Sequence, residues 1–115
     1  MEIGASFVAG ATPKSTLIYE LESAKYPGMC LDANGSGSTA GHNGDKVQLW
    51  SCFDDQTNHQ NQWWGFYSDA SVASHWDGGG KVLDANGSGS TAGQNGDKIQ
   101  IWDSLGGANQ HWFGR

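Results

Sequence analysis

The stretch DANGSGSTAGHNGD, residues 32–45, returns as DANGSGSTAGQNGD at 84–97, with one difference, His42 against Gln94. A self-match at fixed offset marks a duplicated structural unit. The match runs on into KVQLW (46–50) against KIQIW (98–102), and then into NQWW (61–64) against NQHW (109–112). The first two offsets are fifty-two and the last is forty-eight, so the second copy has lost four loop residues. A polar loop, an apolar strand and a Trp behind an Asn-Gln pair therefore occur twice, and any function is expected to be duplicated with them.

Length and composition bound the rest. With 115 residues the chain is one domain, and its six Trp, four Phe and three Tyr supply a modest core. Eighteen Gly and only 16% charged residues describe short strands and many turns, an all-β class. A net charge of −6 with scattered Lys and Arg argues against nucleic acid, which needs a basic face. No apolar run approaches membrane-spanning length, so no membrane insertion is expected and the chain reads as soluble. The N-terminal MEIGASFVAGA carries Glu2 and no basic flank, a weak secretory leader.

Alternation places the strands. Residues 15–23, 29–33 and 46–52 read as strands in the first copy, with a turn at Tyr26-Pro27-Gly28. In the second copy 65–74, 81–85 and 98–103 follow the same order, with a turn through 77–80. Along VQLW and IQIW, Val47 and Leu49, or Ile99 and Ile101, are expected to face the core, while Gln48 and Trp50, or Gln100 and Trp102, face the loop side.

The cysteines vanish together: Cys30 corresponds to Val82 and Cys52 to Ser104. Paired loss implies paired presence. A disulfide across that loop would stabilise by about 3 kcal/mol in an oxidising compartment, which favours a secreted or extracellular chain. In a reducing compartment the same residues would be two buried thiols.

Three chemistries compete for the repeated loop. Asp32, Asn34, Ser36 and Gly37 follow the opening of an EF-hand loop, but the twelfth position is Asn43 or Asn95, not a bidentate Glu, and the flanks read as strands. His42, His59, His75 and His111 lack metal-ligand spacing and read as surface residues; no metal and no cofactor is expected. For catalysis, the acidic pairs Asp54/Asp55 and Glu20/Glu22 do not recur in the second copy. Sugar recognition needs a fixed carboxylate, amides to exchange hydrogen bonds with hydroxyls, and an aromatic plane for the apolar face. Each copy has that set: Asp32, Gln48, Trp50, Asn61 and Gln62, then Asp84, Gln100, Trp102, Asn109 and Gln110.

With CLDA (30–33), VQLWSC (47–52) and the closing Q-x-W at Gln62-Trp63-Trp64 and Gln110-His111-Trp112, the chain resembles the ricin B-type lectins, a β-trefoil family. The resemblance implies a β-trefoil-like fold with Trp64 and Trp112 in the core and a Cys30–Cys52 bridge. It assigns Asp32 and Asp84 to sugar hydroxyls, Trp50 and Trp102 to stacking, and Asn61 and Asn109 to hydrogen bonding. Gln62 and Gln110 would hold the Asp as well as touch ligand.

The family closes three such repeats, and two are found here, 16–63 and 64–115, preceded by an arm at 1–15. Three outcomes are expected to account for the missing third: the arm stands in for part of it, the chain is a piece of something larger and the trefoil here is incomplete, or copies associate as a homo-oligomer. The functional expectation is a non-enzymatic lectin for glycans or glycoconjugates, directed at galactose-type or related neutral sugars. The alternatives are an assembly protein that reuses the repeat, and a calcium-loop protein. Asn34-Gly35-Ser36 and Asn86-Gly87-Ser88 are glycosylation sequons that read first as turns.

Overall fold

The computed structural model describes residues 17–55, 58–76 and 80–114. Seven short strands carry it: β1 (Leu17–Tyr19), β2 (Met29–Ala33), β3 (Asp45–Ser51), β4 (Trp64–Phe66), β5 (Val72–Ser74), β6 (Lys81–Ala85) and β7 (Ile99–Asp103). Single-turn 3-10 segments at Gln60–Gln62 and Ala108–Gln110 end the two polar loops. Every strand pairing is antiparallel, in the order β1-β4-β5-β6-β7-β3-β2. Among the described residues no helix is long and apolar enough to cross a membrane.

The repeat is visible as two equivalent hairpins. In β2–β3, Asp32 lies opposite Gln48 and Cys30 opposite Trp50; in β6–β7, Asp84 lies opposite Gln100 and Val82 opposite Trp102. The Cys30–Cys52 disulfide ties the first hairpin, with Cα atoms 5.1 Å apart. The copies join where Asp45 and Lys46 of β3 pair with Ile101 and Gln100 of β7.

Ala33, Trp64, Phe66, Val72, Leu83 and Ile101 form the buried core, with Leu31, Val47, Ile99 and Trp112 packed at its margin. The Trp of each Q-x-W faces inward because its indole N–H finds a backbone acceptor there: Trp64 Nε1 donates to Leu31 O at 3.1 Å and Trp112 Nε1 to Leu83 O at 3.0 Å. A Trp buries a large apolar surface at little cost once its single donor is satisfied.

Several expectations are corrected. The segment 65–74 is not one strand but a tight hairpin of β4 and β5, turned at Tyr67–Ser71 with Ala70 at φ +76° and Asp69 Oδ1 accepting from the Ser71 amide at 2.9 Å. Among the described residues the first strand ends at Tyr19 rather than running on to residue 23, and an isolated bridge between Glu22 and Cys30 follows it. Leu49, expected in the core, is 42% exposed, whereas its equivalent Ile101 is 1% exposed. Of the histidines only His42 lies on the open surface; His59 stacks face to face on Phe53, ring centroids 3.9 Å apart. The arm at 1–15 and most of the turn at 77–80 lie outside the described residues.

Candidate functional site

Pairing within the β2–β3 hairpin turns Asp32 and Gln48 to the same face, and the 3-10 turn at Gln60–Gln62 brings two more amides to it. The Asp32 carboxylate is buried and accepts from Gln48 Nε2 at 3.2 Å, Asn61 Nδ2 at 3.1 Å and Gln62 Nε2 at 3.0 Å. The second copy repeats this bond for bond: Asp84 accepts from Gln100 Nε2 at 2.9 Å, Asn109 Nδ2 at 3.2 Å and Gln110 Nε2 at 2.9 Å. An ionised carboxylate offers about four lone-pair sites, so roughly one acceptor position per Asp is left for a ligand.

The two Gln of the Q-x-W motifs explain why that residue type is needed. Gln62 Nε2 also donates to Ser51 O at 2.8 Å, and its Oε1 accepts from Phe53 N at 2.9 Å. Gln110 likewise donates to Asp103 O at 2.9 Å and accepts from Leu105 N at 2.8 Å. Each clamps the end of a hairpin strand to the carboxylate, using donors and acceptor together. With exposures of 0% and 2% they hold the Asp from behind, Gln62 without reaching the cleft surface. Asn61 and Asn109 are oriented by second bonds to Ala33 O and Ala85 O, at 2.9 and 3.0 Å.

Above each carboxylate lies an open cleft. The first, of about 430 Å³, is lined by Asp32, Asn34, Ser36, Gln48, Trp50, Phe53 and Asn61; the second, of about 330 Å³, by Asp84, Asn86, Ser88, Gln100, Trp102, Leu105, Asn109 and also Gln110. Trp50 is 53% exposed and free to offer a ring face. Trp102 is more enclosed, because the backbone at Gly44 of the first copy passes beneath it: a Cβ there would lie 3.7 Å from Trp102 Cζ3. Phe53 in the first cleft and Leu105 in the second escaped the sequence reading, although both are apolar at the common offset of fifty-two.

The remaining loop residues are engaged in shaping it. Asn34 Oδ1 accepts from the amide and hydroxyl of Ser36, at 3.2 and 3.1 Å, and Asn86 does the same with Ser88. Asp45 closes the loop on Gly41 N at 3.1 Å, as Asp97 does on Gly93 N at 2.9 Å. Burial pushes the Asp45 carboxyl above its ordinary value, against the bonds from Gly41 and Thr39 that favour its charge. The side-chain oxygens of Asp32 and Asn34 in the EF-hand-like pattern thus face protein donors. Among the described residues, the cluster of potential ligands close enough to share an ion is Glu20 with Cys30 and Cys52, whose sulfurs are bonded to each other.

Fold and site define a duplicated all-β domain with two like polar clefts, each floored by a clamped carboxylate and walled by a Trp. The model of the ricin-type beta-trefoil lectin domain matches residues 18–114, and the chain belongs to that family. Carbohydrate binding is the general activity of such domains, and the trefoil-like fold expected from the repeats follows with it. Among curated proteins none matches the chain.

Proposed function

We propose that this chain is a non-enzymatic lectin for neutral sugars, galactose-type or related, built as one domain of two repeats, 16–63 and 64–115, each with one shallow site. The observation that carries the reading is the exact recurrence of the carboxylate–amide cluster beside a Trp in two open clefts. A turn that served only to satisfy its backbone would have no need of a buried carboxylate under a cleft, nor of the same one twice.

The chemistry follows from the free valences. A sugar hydroxyl donates to the remaining acceptor position of Asp32 or Asp84, and that charge-assisted bond is stronger than a neutral one. The amide oxygens of Gln48 and Asn61, or of Gln100 and Asn109, take neighbouring hydroxyl protons. Trp50 or Trp102 covers the apolar face of the ring. Because the Asp is held by three amides, its open position has a fixed direction, and an epimer that turns its hydroxyl away leaves that position unpaired. Single sites of this depth are weak, and glycoconjugates displaying several sugars gain by multivalency. A glycan array probed with wild type and with the double variant Asp32→Asn/Asp84→Asn tests the assignment. Retention of galactose-type glycans by wild type and its loss in the variant is expected; identical profiles would remove the proposed sites.

A further inference from the structure

We infer that the two clefts are unequal: the first binds a disaccharide, whose second sugar ring lies on Phe53, while the second cleft holds one ring only. The inference rests on the lectin reading above and adds to it the length of glycan that each site takes. Asp32 and Trp50 have their equals in Asp84 and Trp102, but at the common offset of fifty-two Phe53 corresponds to Leu105. An aromatic plane thus stands in the wall of one cleft where the other has an aliphatic side chain.

Phe53 is held ready before any ligand arrives. Its backbone N–H donates to Gln62 Oε1 at 2.9 Å, so the amide that clamps Asp32 also fixes the root of this side chain. One face of the ring is covered by His59, with centroids 3.9 Å apart and planes 9° from parallel. His59 does not line the cleft, so the part of Phe53 that does is what the stack leaves open, and Phe53 is 38% exposed. His59 is placed in turn by its amide, which donates to Asp55 O at 3.0 Å. Among the described residues its Nδ1 is buried without a partner, which suits a ring used for its face. A side chain fixed in advance loses little freedom on binding.

The second cleft lacks both the plane and its support. Leu105 is 73% exposed. Counted back from the shared Asn-Gln pair at the offset of forty-eight, Gly107 takes the place of His59. A Cβ on Gly107 would lie 2.7 Å from Asn109 Oδ1, and Asn109 is held by its bonds to Asp84 and to Ala85 O. A backing ring there would displace an amide of the site itself.

Trp50 covers the ring whose hydroxyl meets Asp32, so the open face of Phe53 serves a neighbouring ring. A pyranose carries a patch of C–H groups on one face, and an aromatic face matches its extent, whereas an acetamido methyl would cover only a fraction of it. The first cleft is also the larger, at about 430 against 330 Å³.

The test titrates the full chain with galactose, N-acetylgalactosamine, lactose and melibiose, following the Trp50 and Trp102 indole signals by NMR so that each site reports its own affinity. At least one of the two disaccharides, which present galactose on different linkages, is expected to bind the first site about three- to tenfold more tightly than galactose, the worth of one ring on an aromatic face. The second site is expected to hold mono- and disaccharides alike. Phe53→Leu and His59→Ala should each bring the disaccharide-to-galactose ratio at the first site down to that of the second. His59→Phe, which keeps a ring behind Phe53, should restore it. Galactose bound at both sites without a disaccharide gain at the first overturns the inference and leaves the lectin reading standing. So does an equal gain at both sites, a gain that survives Phe53→Leu, or a gain with N-acetylgalactosamine alone. No sugar bound at either site overturns both.

Discussion

Replacing Asp32 by Ala and by Asn should separate the carboxylate's two roles. In Asp32→Ala the donors of Gln48, Asn61 and Gln62, at 3.2, 3.1 and 3.0 Å, each lose one partner. Gln48 is part-exposed and water replaces its bond, whereas Gln62 has no exposure at all and Asn61 little freedom to turn, since its amide also holds Ala33 O. Two poorly hydrated donors at about 1.5 kcal/mol each give a loss of about 3 kcal/mol. That is a large part of the 5–15 kcal/mol by which a domain is ordinarily stable. In Asp32→Asn the amide oxygen replaces Oδ2 and keeps Asn61 and Gln62, and a turned-over Gln48 amide accepts from the new NH2, so the cost falls to about 1 kcal/mol. Asp84→Ala should cost about as much as Asp32→Ala, because Gln100 is buried where Gln48 is not, while Asn109 is exposed to water where Asn61 is not. Urea unfolding with a shared slope measures all three. Asp32→Ala within about 0.5 kcal/mol of wild type, or Asp32→Asn as damaging as Ala, would refute the clamped-carboxylate account.

Two further perturbations follow. Reduction of the Cys30–Cys52 bridge, a separation of 22 residues, should lower stability by about 3 kcal/mol in the chain-entropy model; an unchanged urea midpoint with dithiothreitol would show that the bridge does not constrain the unfolded chain. Burial, then the charges of Asp54 and Glu22, raise the Glu20 pKa above its ordinary 4.5, and its Oε2 is buried without a partner. A carboxyl that binds its proton more tightly when folded weakens the fold while ionised, and this penalty fades as pH falls through the raised pKa. Glu20→Gln should therefore be the more stable protein at neutral pH, with the gap closing on acidification; a gap constant with pH would contradict the assigned cause.

Much of this was legible in the chain itself, because the repeat carries its own control. Residues shared by both copies at one offset, Asp32/Asp84, Gln48/Gln100 and Trp50/Trp102, proved to share one place in the fold, and the Asn-Gln pairs join them across the loop. Paired loss at Val82 and Ser104 pointed to the disulfide that the structure contains. The hairpin at 64–74 was missed because its turn, Tyr67–Ser71, holds no Gly or Pro to mark it; the signal available was Asp69-x-Ser71, a side-chain turn that lets Ala70 take φ +76°. The exposure of Leu49 was illegible for a different reason: its local pattern equals that of Ile101, and only the presence of a neighbouring repeat distinguishes them.

The most direct test of the central claim is a titration of the chain with galactose followed by amide and indole NMR signals. Among six Trp indoles the account expects those of Trp50 and Trp102 to shift saturably, together with the side-chain amides of Gln48, Asn61, Gln100 and Asn109, while the core indole of Trp64 stays in place. Signals unmoved by millimolar galactose and related neutral sugars, or saturable shifts confined to residues outside both clefts, would contradict it.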